Sequence, residues 1–326
     1  MKTVQITTLG GPTSLELLDA PNPDAGSSTV LIDVHAAGIA FPEVLQSRGQ
    51  YQVKPDLPFI PGAEVAGTVV SAPEDSGLAV GQRVAALPFL GAFAEQVACS
   101  PEAVFPIPDS LSFEAAAAIP FNYLTAHFAL LRRGRLAAGE SVLVHGAAGG
   151  VGSAAIQVAK AFGAGRVISV TSTPEKGAAA VAAGSDEYVL ADGFRDAVKE
   201  LTGGKGVDVV VDTVGGDRFT DSLRSLAANG RILVIGFTGG SIPEVKVNRL
   251  LLNNLDVVGV AWGAYATVRP GYLQGQWAEL LPKIEAGGIV PLMGDVYPME
   301  KVSDALIAID ERRAVGKLIL GVRGSG

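Results

Sequence analysis

A single cysteine, Cys99, stands in a chain of 326 residues. It can neither close an internal disulfide nor build a metal site from several thiolates. Histidine is almost as scarce: His35, His127 and His145 are all the chain has. They lie far apart, in two strand-like runs and one helical run, where a core or interface role is the ordinary expectation. Zinc needs Cys, His or carboxylate ligands gathered around one point, so no metal site is expected. Basic excess is also missing. With 25 Lys and Arg against 33 Asp and Glu, the net charge is −8 and the cations are scattered. That disfavours nucleic acid as a partner but leaves room for a local site that takes one phosphate. No run approaches the roughly 18 apolar residues of a membrane span. The opening Met1-Lys2-Thr3-Val4-Gln5-Ile6 lacks the apolar core of a secretory signal. The expectation is a soluble cytoplasmic protein that binds neither membrane nor nucleic acid.

Apolar residues and glycine are what the chain has in quantity. Hydrophobic residues make up 48% and charged residues 18%, a balance that folds. The length allows two domains, each with its own core. From Met1 to about Phe121 the apolar runs are short and β-branched: Val30–Val34, Val65–Val70 and Arg83–Leu87. Turns such as Asn22-Pro23, Asp75-Ser76-Gly77 and Val80-Gly81-Gln82 separate them, which predicts a mostly antiparallel β domain. From about Tyr123 strands alternate with helices. The strands expected are Ser141–His145, Arg166–Thr171, Glu187–Leu190, Val207–Asp212, Arg231–Ile235 and Leu255–Val260. Helices such as Val151–Phe162 and Phe219–Ala228 lie between them. Near-continuous Val and Ile runs suit strands covered on both faces, so the expected class is α/β with a doubly wound parallel sheet. The sixth strand completes that sheet, and the tail is expected to return to the first domain. The predicted division is 1–122 with 264–326, and 123–263.

The sharpest motif runs Val142-Leu143-Val144-His145-Gly146-Ala147-Ala148-Gly149-Gly150-Val151-Gly152. It leaves a strand and opens a helix, the setting in which a glycine loop cradles a pyrophosphate on free helix N–H groups. Ala147 stands where the first glycine of the usual pattern would be. Gly149, Gly150 and Val151 are the expected phosphate-binding backbone. The end of the second strand reads Val170-Thr171-Ser172-Thr173-Pro174-Glu175-Lys176, with hydroxyls where an NAD site has its carboxylate. Ser172 can hydrogen-bond a ribose 2′-phosphate and Lys176 can neutralise it, so NADPH is the expected cofactor. Thr173 is expected as N-cap and Pro174 as the first helical residue, which makes Glu175 an ordinary dipole-complementing side chain.

These residues resemble the medium-chain dehydrogenase/reductase superfamily and, within it, the zinc-free quinone oxidoreductases. The likeness covers nearly the whole chain. Its anchors include Ala37-Gly38-Ile39 with Phe41-Pro42-Glu43, Pro61-Gly62-Ala63-Glu64-Val65-Ala66-Gly67 and Val80-Gly81-Gln82-Arg83-Val84. Leu124-Thr125-Ala126, the glycine loop, Gly204-Lys205-Gly206-Val207-Asp208 and Gly230-Arg231-Ile232 continue it. The resemblance implies a GroES-like domain, a Rossmann domain, a cleft between them, and a homodimer joined through the last Rossmann strand, here 256–260. The alcohol dehydrogenase branch carries a catalytic zinc. Where that branch has its ligand cysteine this chain reads Gly38-Ile39-Ala40, and where it has a histidine beside Glu64 there is Ala63.

Without a Lewis acid, the suited hydride acceptor is one that spreads the developing charge itself, such as a quinone or an α,β-unsaturated carbonyl. Tyr51 resembles the cleft tyrosine of zinc-free relatives and is either a proton donor or substrate contact, or a wall residue. Thr125, Phe237 and Asn248 match family positions near the cofactor. Many quinone oxidoreductases carry Asn where Ala40 stands, and its loss leaves a more apolar cleft. An alternative activity is enoyl-thioester reduction, with Arg48, Arg132, Arg133 and Arg135 as a basic mouth for a carrier phosphate. An alternative of another class is a non-catalytic NADPH-binding sensor or structural protein.

Overall fold

The computed structural model describes residues 1–323. The chain forms two compact units. The first contains Met1–Phe121, Pro270–Ala278 and the chain from Met293 onward; the second contains Asn122–Arg269 and Glu279–Leu292.

In the first unit, β1 (Lys2–Ile6) and β2 (Leu15–Asp19) form an antiparallel hairpin. A larger sheet is built on β3 (Val30–Ile39), β4 (Glu64–Ser71), β5 (Arg83–Ala86), β6 (Gln96–Cys99) and β7 (Val104–Pro106), all paired antiparallel. Val30, Ile32 and Val34 on alternate positions of β3 are fully buried, the period-two pattern of a strand with one face on the core. A side chain at Gly67 would collide with the Asp33 carbonyl, beside the irregular pairing between Val34 and Ala36. Two short helices, α1 (Phe41–Ser47) and α2 (Phe113–Ala117), follow β3 and β7. Ser112 caps α2 by accepting from the Ala115 N–H.

The second unit holds α3 (Pro120–His127) apart from its first two residues. The alternation that follows is β8 (Ser141–His145), α4 (Gly150–Ala161), β9 (Arg166–Thr171), α5 (Pro174–Ala182), β10 (Glu187–Leu190) and α6 (Phe194–Leu201). It continues with β11 (Val207–Asp212), α7 (Phe219–Arg224), β12 (Leu226–Val234), α8 (Asn248–Asn253), β13 (Asp256–Gly259) and α9 (Trp262–Ala266). The six strands are parallel in the order β10-β9-β8-β11-β12-β13, the doubly wound Rossmann arrangement. Leu143, Ile168, Val210 and Ile232 from the central strands pack with Phe194, Val198, Phe219 and Leu223 from the helices. Four strands have the expected ends. The helix expected over Phe219–Ala228 is corrected: α7 stops at Arg224, and β12 begins at Leu226 because Leu226 pairs with Val207.

The division differs from the expected one in the tail. In α10 (Tyr272–Glu285) the early residues belong to the first unit, where Gln274 Nε2 donates to Val104 O at 2.9 Å and Trp277 stacks on Phe105 at 4.9 Å. The next segment belongs to the second unit. Gln157 on α4 donates to Val290 O at 2.6 Å and accepts from Val290 N at 3.0 Å and the Tyr123 hydroxyl at 2.8 Å. Then β14 (Met293–Pro298), α11 (Val302–Asp310) and β15 (Lys317–Gly321) complete the first unit, with β15 paired to β3. Among the described residues no helix is long and apolar enough to cross a membrane.

Candidate functional site

The sheet of the second unit reverses its winding between β8 and β11, and ligands of such sheets sit outside the strand ends at that point. His145 ends β8 and Asp212 ends β11. The turn after His145 requires glycine twice. Gly146 has φ of 61°, and a side chain at Gly152 would strike the Gly146 carbonyl and the Ala147 backbone. Gly149 is the N-cap of α4 and no side chain caps that helix. The first-turn N–H groups therefore face outward with the positive end of the helix dipole, which is an anion site. Gly149, Gly150 and Val151 are all part-exposed there.

A second loop lies against this one. Asp212 Oδ1 accepts from the N–H groups of Val214 at 2.8 Å and Gly215 at 2.9 Å, and Thr213 donates its hydroxyl to His145 O at 3.2 Å. The Phe237 ring, 39% exposed, rests on Gly215, where a Cβ would come within 2.8 Å of it. Behind the loops, His145 Nε2 lies 2.9 Å from Ser222 Oγ and its ring meets Phe194 edge-on. Burial pushes this imidazole down to about 4, so it is neutral. Sequence reasoning missed the 213–216 loop; Gly215-Gly216, separated from the end of β11 by two residues, was its signal.

At the end of β9, Ser172 is exposed and Thr173 caps α5, accepting from Lys176 N at 3.3 Å. Pro174 opens the helix, as the sequence predicts. Ala147 N donates to Val170 O at 3.5 Å, joining the glycine loop to the strand that carries this segment. Thr125 is buried on α3, and one turn earlier Asn122 sets its amide against Gly150. Asn248 is exposed as the first residue of α8, whose N-cap is Val247. The structure thus gathers Gly149, Gly150, Val151 and Phe237 around the strand ends, whereas no hydrogen bond or ion pair joins Asn248 to those loops among the described residues.

Tyr51 belongs to the first unit, just beyond α1. Gly49 at φ of 66° closes the turn, and Gln50 N donates to Leu45 O at 2.9 Å. Arg48 grips Asp310 through both terminal guanidinium nitrogens, at 2.9 and 2.5 Å. The half-buried Tyr51 phenol is held above its usual range by burial and then by the charge of Glu43, so it remains a proton-bearing group. Behind α1 lies a cluster that sequence reasoning did not assign. Lys317 Nζ is 2.5 Å from Glu64 Oε1, Glu64 Oε2 accepts from Phe121 N at 2.8 Å, and Glu43 Oε2 accepts from Ala40 N at 2.7 Å. Burial, opposed by Lys317, pushes Glu43 up to about 7. Gly38 leaves room for Glu64, since a Cβ there would lie 2.6 Å from Glu64 Oε1.

A zinc ion does not fit these residues. Ala40 and Ala63 offer no ligand, Glu64 is committed to Lys317, and no group of three His, Cys, Asp or Glu side chains suited to a metal occurs among the described residues. NADPH does fit, because the open helix end and the hydroxyl and lysine beyond β9 match its phosphates.

Fold and loop together define a two-domain oxidoreductase of the dinucleotide-binding kind. Comparison with known proteins narrows this. Residues 26–109 match the alcohol dehydrogenase GroES-like domain and residues 150–285 the zinc-binding dehydrogenase family. The chain is 40% identical to quinone oxidoreductase-like protein 2 of Mus musculus, over 93% of this chain and 87% of that protein. A probable oxidoreductase from Mycobacterium abscessus has the same fold at a TM-score of 0.88 and 43% identity, covering 99% of each chain. The quinone oxidoreductase of Thermus thermophilus, solved also as its NADPH complex, gives a TM-score of 0.86 at 36% identity, over 99% of this chain and 100% of that one. The chain belongs to the medium-chain dehydrogenase/reductase superfamily, in its quinone oxidoreductase branch.

Proposed function

We propose that this oxidoreductase transfers hydride from NADPH to a quinone or an α,β-unsaturated carbonyl, without zinc. The observation that carries the reading is the phosphate-friendly pocket of the second unit. An uncapped glycine turn opens α4, and Ser172 and Lys176 follow β9 where an acid would reject the 2′-phosphate. When bound, NADPH supplies the hydride. Gly150 and Val151 hold its diphosphate through backbone N–H groups, Gly149, whose own N–H is given to Gly146 O at 2.9 Å, lets the phosphates approach closely, and Ser172 with Lys176 holds the 2′-phosphate. Thr125 and Phe237 contact the cofactor, and Asn248 joins this set on its family position alone. Tyr51, still protonated at neutral pH, donates a hydrogen bond or a proton to the reduced oxygen. Among its described residues the first unit offers no ligand set for a Lewis acid, which favours an acceptor that spreads the charge through its own conjugation.

The enoyl-thioester reading loses support, because the arginines of its basic mouth have other commitments. Arg48 grips Asp310, Arg133 donates to Gly259 O at 2.9 Å, Arg135 pairs with Asp256 at 2.7 Å, and Arg132 lies over the Tyr265 ring at 4.7 Å. A homodimer through strand 256–260 is part of the proposal. It is supported by β13 standing at the sheet edge, with Val257, Leu251 and Leu252 exposed at 41%, 78% and 75%.

The test is NADPH consumption across a panel of quinones, enones and enoyl-CoAs. Turnover is expected with quinones or enones. No turnover above background with any acceptor would leave a non-catalytic NADPH-binding protein instead.

A further inference from the structure

We infer that Asn122 binds the cofactor, its side-chain amide donating to an anionic oxygen of the diphosphate at the start of α4. This rests on the reading of the glycine turn as the NADPH site. Asn122 is 3% exposed and lies one turn before Thr125 on the same face of α3. A methyl group built on Gly150 would meet Asn122 Nδ2 at 2.6 Å, Cγ at 3.2 Å and Oδ1 at 3.3 Å, so the amide nitrogen leads toward the helix start. Glycine at 150 is thereby explained: the volume of its side chain is taken by the amide.

Among the described residues nothing hydrogen-bonds to that amide. Gln157, the neighbouring buried amide on α4, is satisfied at both ends, whereas the Asn122 amide is neither paired nor among the side-chain atoms sealed from solvent without a partner, so it reaches the opening at the helix start. The missing partner has a definite chemistry. An N–H donor cannot cap a helix start, because the groups exposed there are themselves N–H donors. Two sets of donors converge on one place, and only an acceptor completes them. The acceptor class is a phosphate oxygen, the same that an uncapped helix N-terminus selects.

A capping role and an anion-donor role predict opposite results for Asn122→Asp. A carboxylate is a good cap and suits the helix dipole, yet it repels a diphosphate. Titrate wild type, Asn122→Ala and Asn122→Asp with NADPH and with 2′-AMP, which carries the 2′-phosphate but no diphosphate, and record each melting temperature. Loss of one charge-assisted bond should weaken NADPH about tenfold in Asn122→Ala, and the added repulsion about a hundredfold in Asn122→Asp. Binding of 2′-AMP should be unchanged in both, and Asn122→Asp should melt no lower than wild type. The inference is overturned if Asn122→Asp binds NADPH like wild type, or if 2′-AMP weakens in parallel. Wild type that binds no NADPH would sink the reading of the glycine turn as well, whereas wild-type binding with indifferent variants would sink the Asn122 assignment alone.

Discussion

Lys317 Nζ lies 2.5 Å from Glu64 Oε1, with the two side chains 4% and 1% exposed. Removing one partner leaves the other charge buried alone, which costs roughly 3–5 kcal/mol, whereas replacing both can be nearly neutral. Lys317→Met should therefore lower the urea midpoint sharply, and Glu64→Gln combined with Lys317→Met should restore much of the loss. A double variant no better than Lys317→Met would mean that the pair is not what holds β4 and β15 together.

Glu43 gives stability a pH dependence of definite sign. Its folded value near 7 lies above the unfolded 4.5, so its contribution is complete below 4.5 and is lost as pH rises through about 7. The loss amounts to at most about 3 kcal/mol. His145 works the other way: lowered from 6.5 to about 4, it withdraws stability as pH falls across that range. The two slopes largely cancel in the wild type. In Glu43→Gln the opposing carboxyl is gone while His145 keeps its slope, with His35 and His127 also lowered, so urea midpoints should rise more steeply from about pH 4 to about pH 7 than in the wild type. A flat profile in the variant would contradict the assignment.

Lys176→Ala should cost NADPH affinity about tenfold and leave NADH affinity unchanged, since only the 2′-phosphate distinguishes them. Fluorescence titration of both nucleotides reads the difference. Equal weakening of both would mean that the lysine supports the fold of α5 and not the phosphate.

Tyr51→Phe removes a hydroxyl while keeping the ring. If the phenol donates the proton, kcat should fall at least about tenfold with NADPH affinity unaltered. An unchanged kcat would leave the ring as a wall.

Gly152→Ala drives a methyl group into the carbonyl of Gly146, which no side-chain rotation can relieve. NADPH affinity should fall by at least about tenfold, because the turn must shift to admit the methyl. A titration matching wild type would show the turn to be compliant.

How far the sequence could be read depended on where the constraint lies. The strands β8, β9 and β11 were legible to their ends, because strands covered on both faces are written as near-continuous runs rich in Val and Ile. The start of β12 was not. Leu226-Ala227-Ala228 reads as helix by propensity, yet Leu226 pairs with Val207 and Asn229 takes φ of 64°. Near the candidate site, the glycine turn and the Thr173 cap with Pro174 were legible because each is set within its own stretch of chain. The placements of Asn122 and Lys317 were not, because their contacts arise only against Gly150 and Glu64, far away in sequence.

The interleaving of the two halves also sets a timetable for synthesis. The nucleotide-binding unit lacks the partner of Gln157 until Val290 has been made, and the other sheet lacks the neighbour of β3 until β15 emerges. A nascent chain halted at Arg269 would carry every residue of the phosphate pocket and still leave a buried glutamine without its main-chain partner. Neither half can therefore close before its own late segment has emerged, Val290 for the one and β15 for the other.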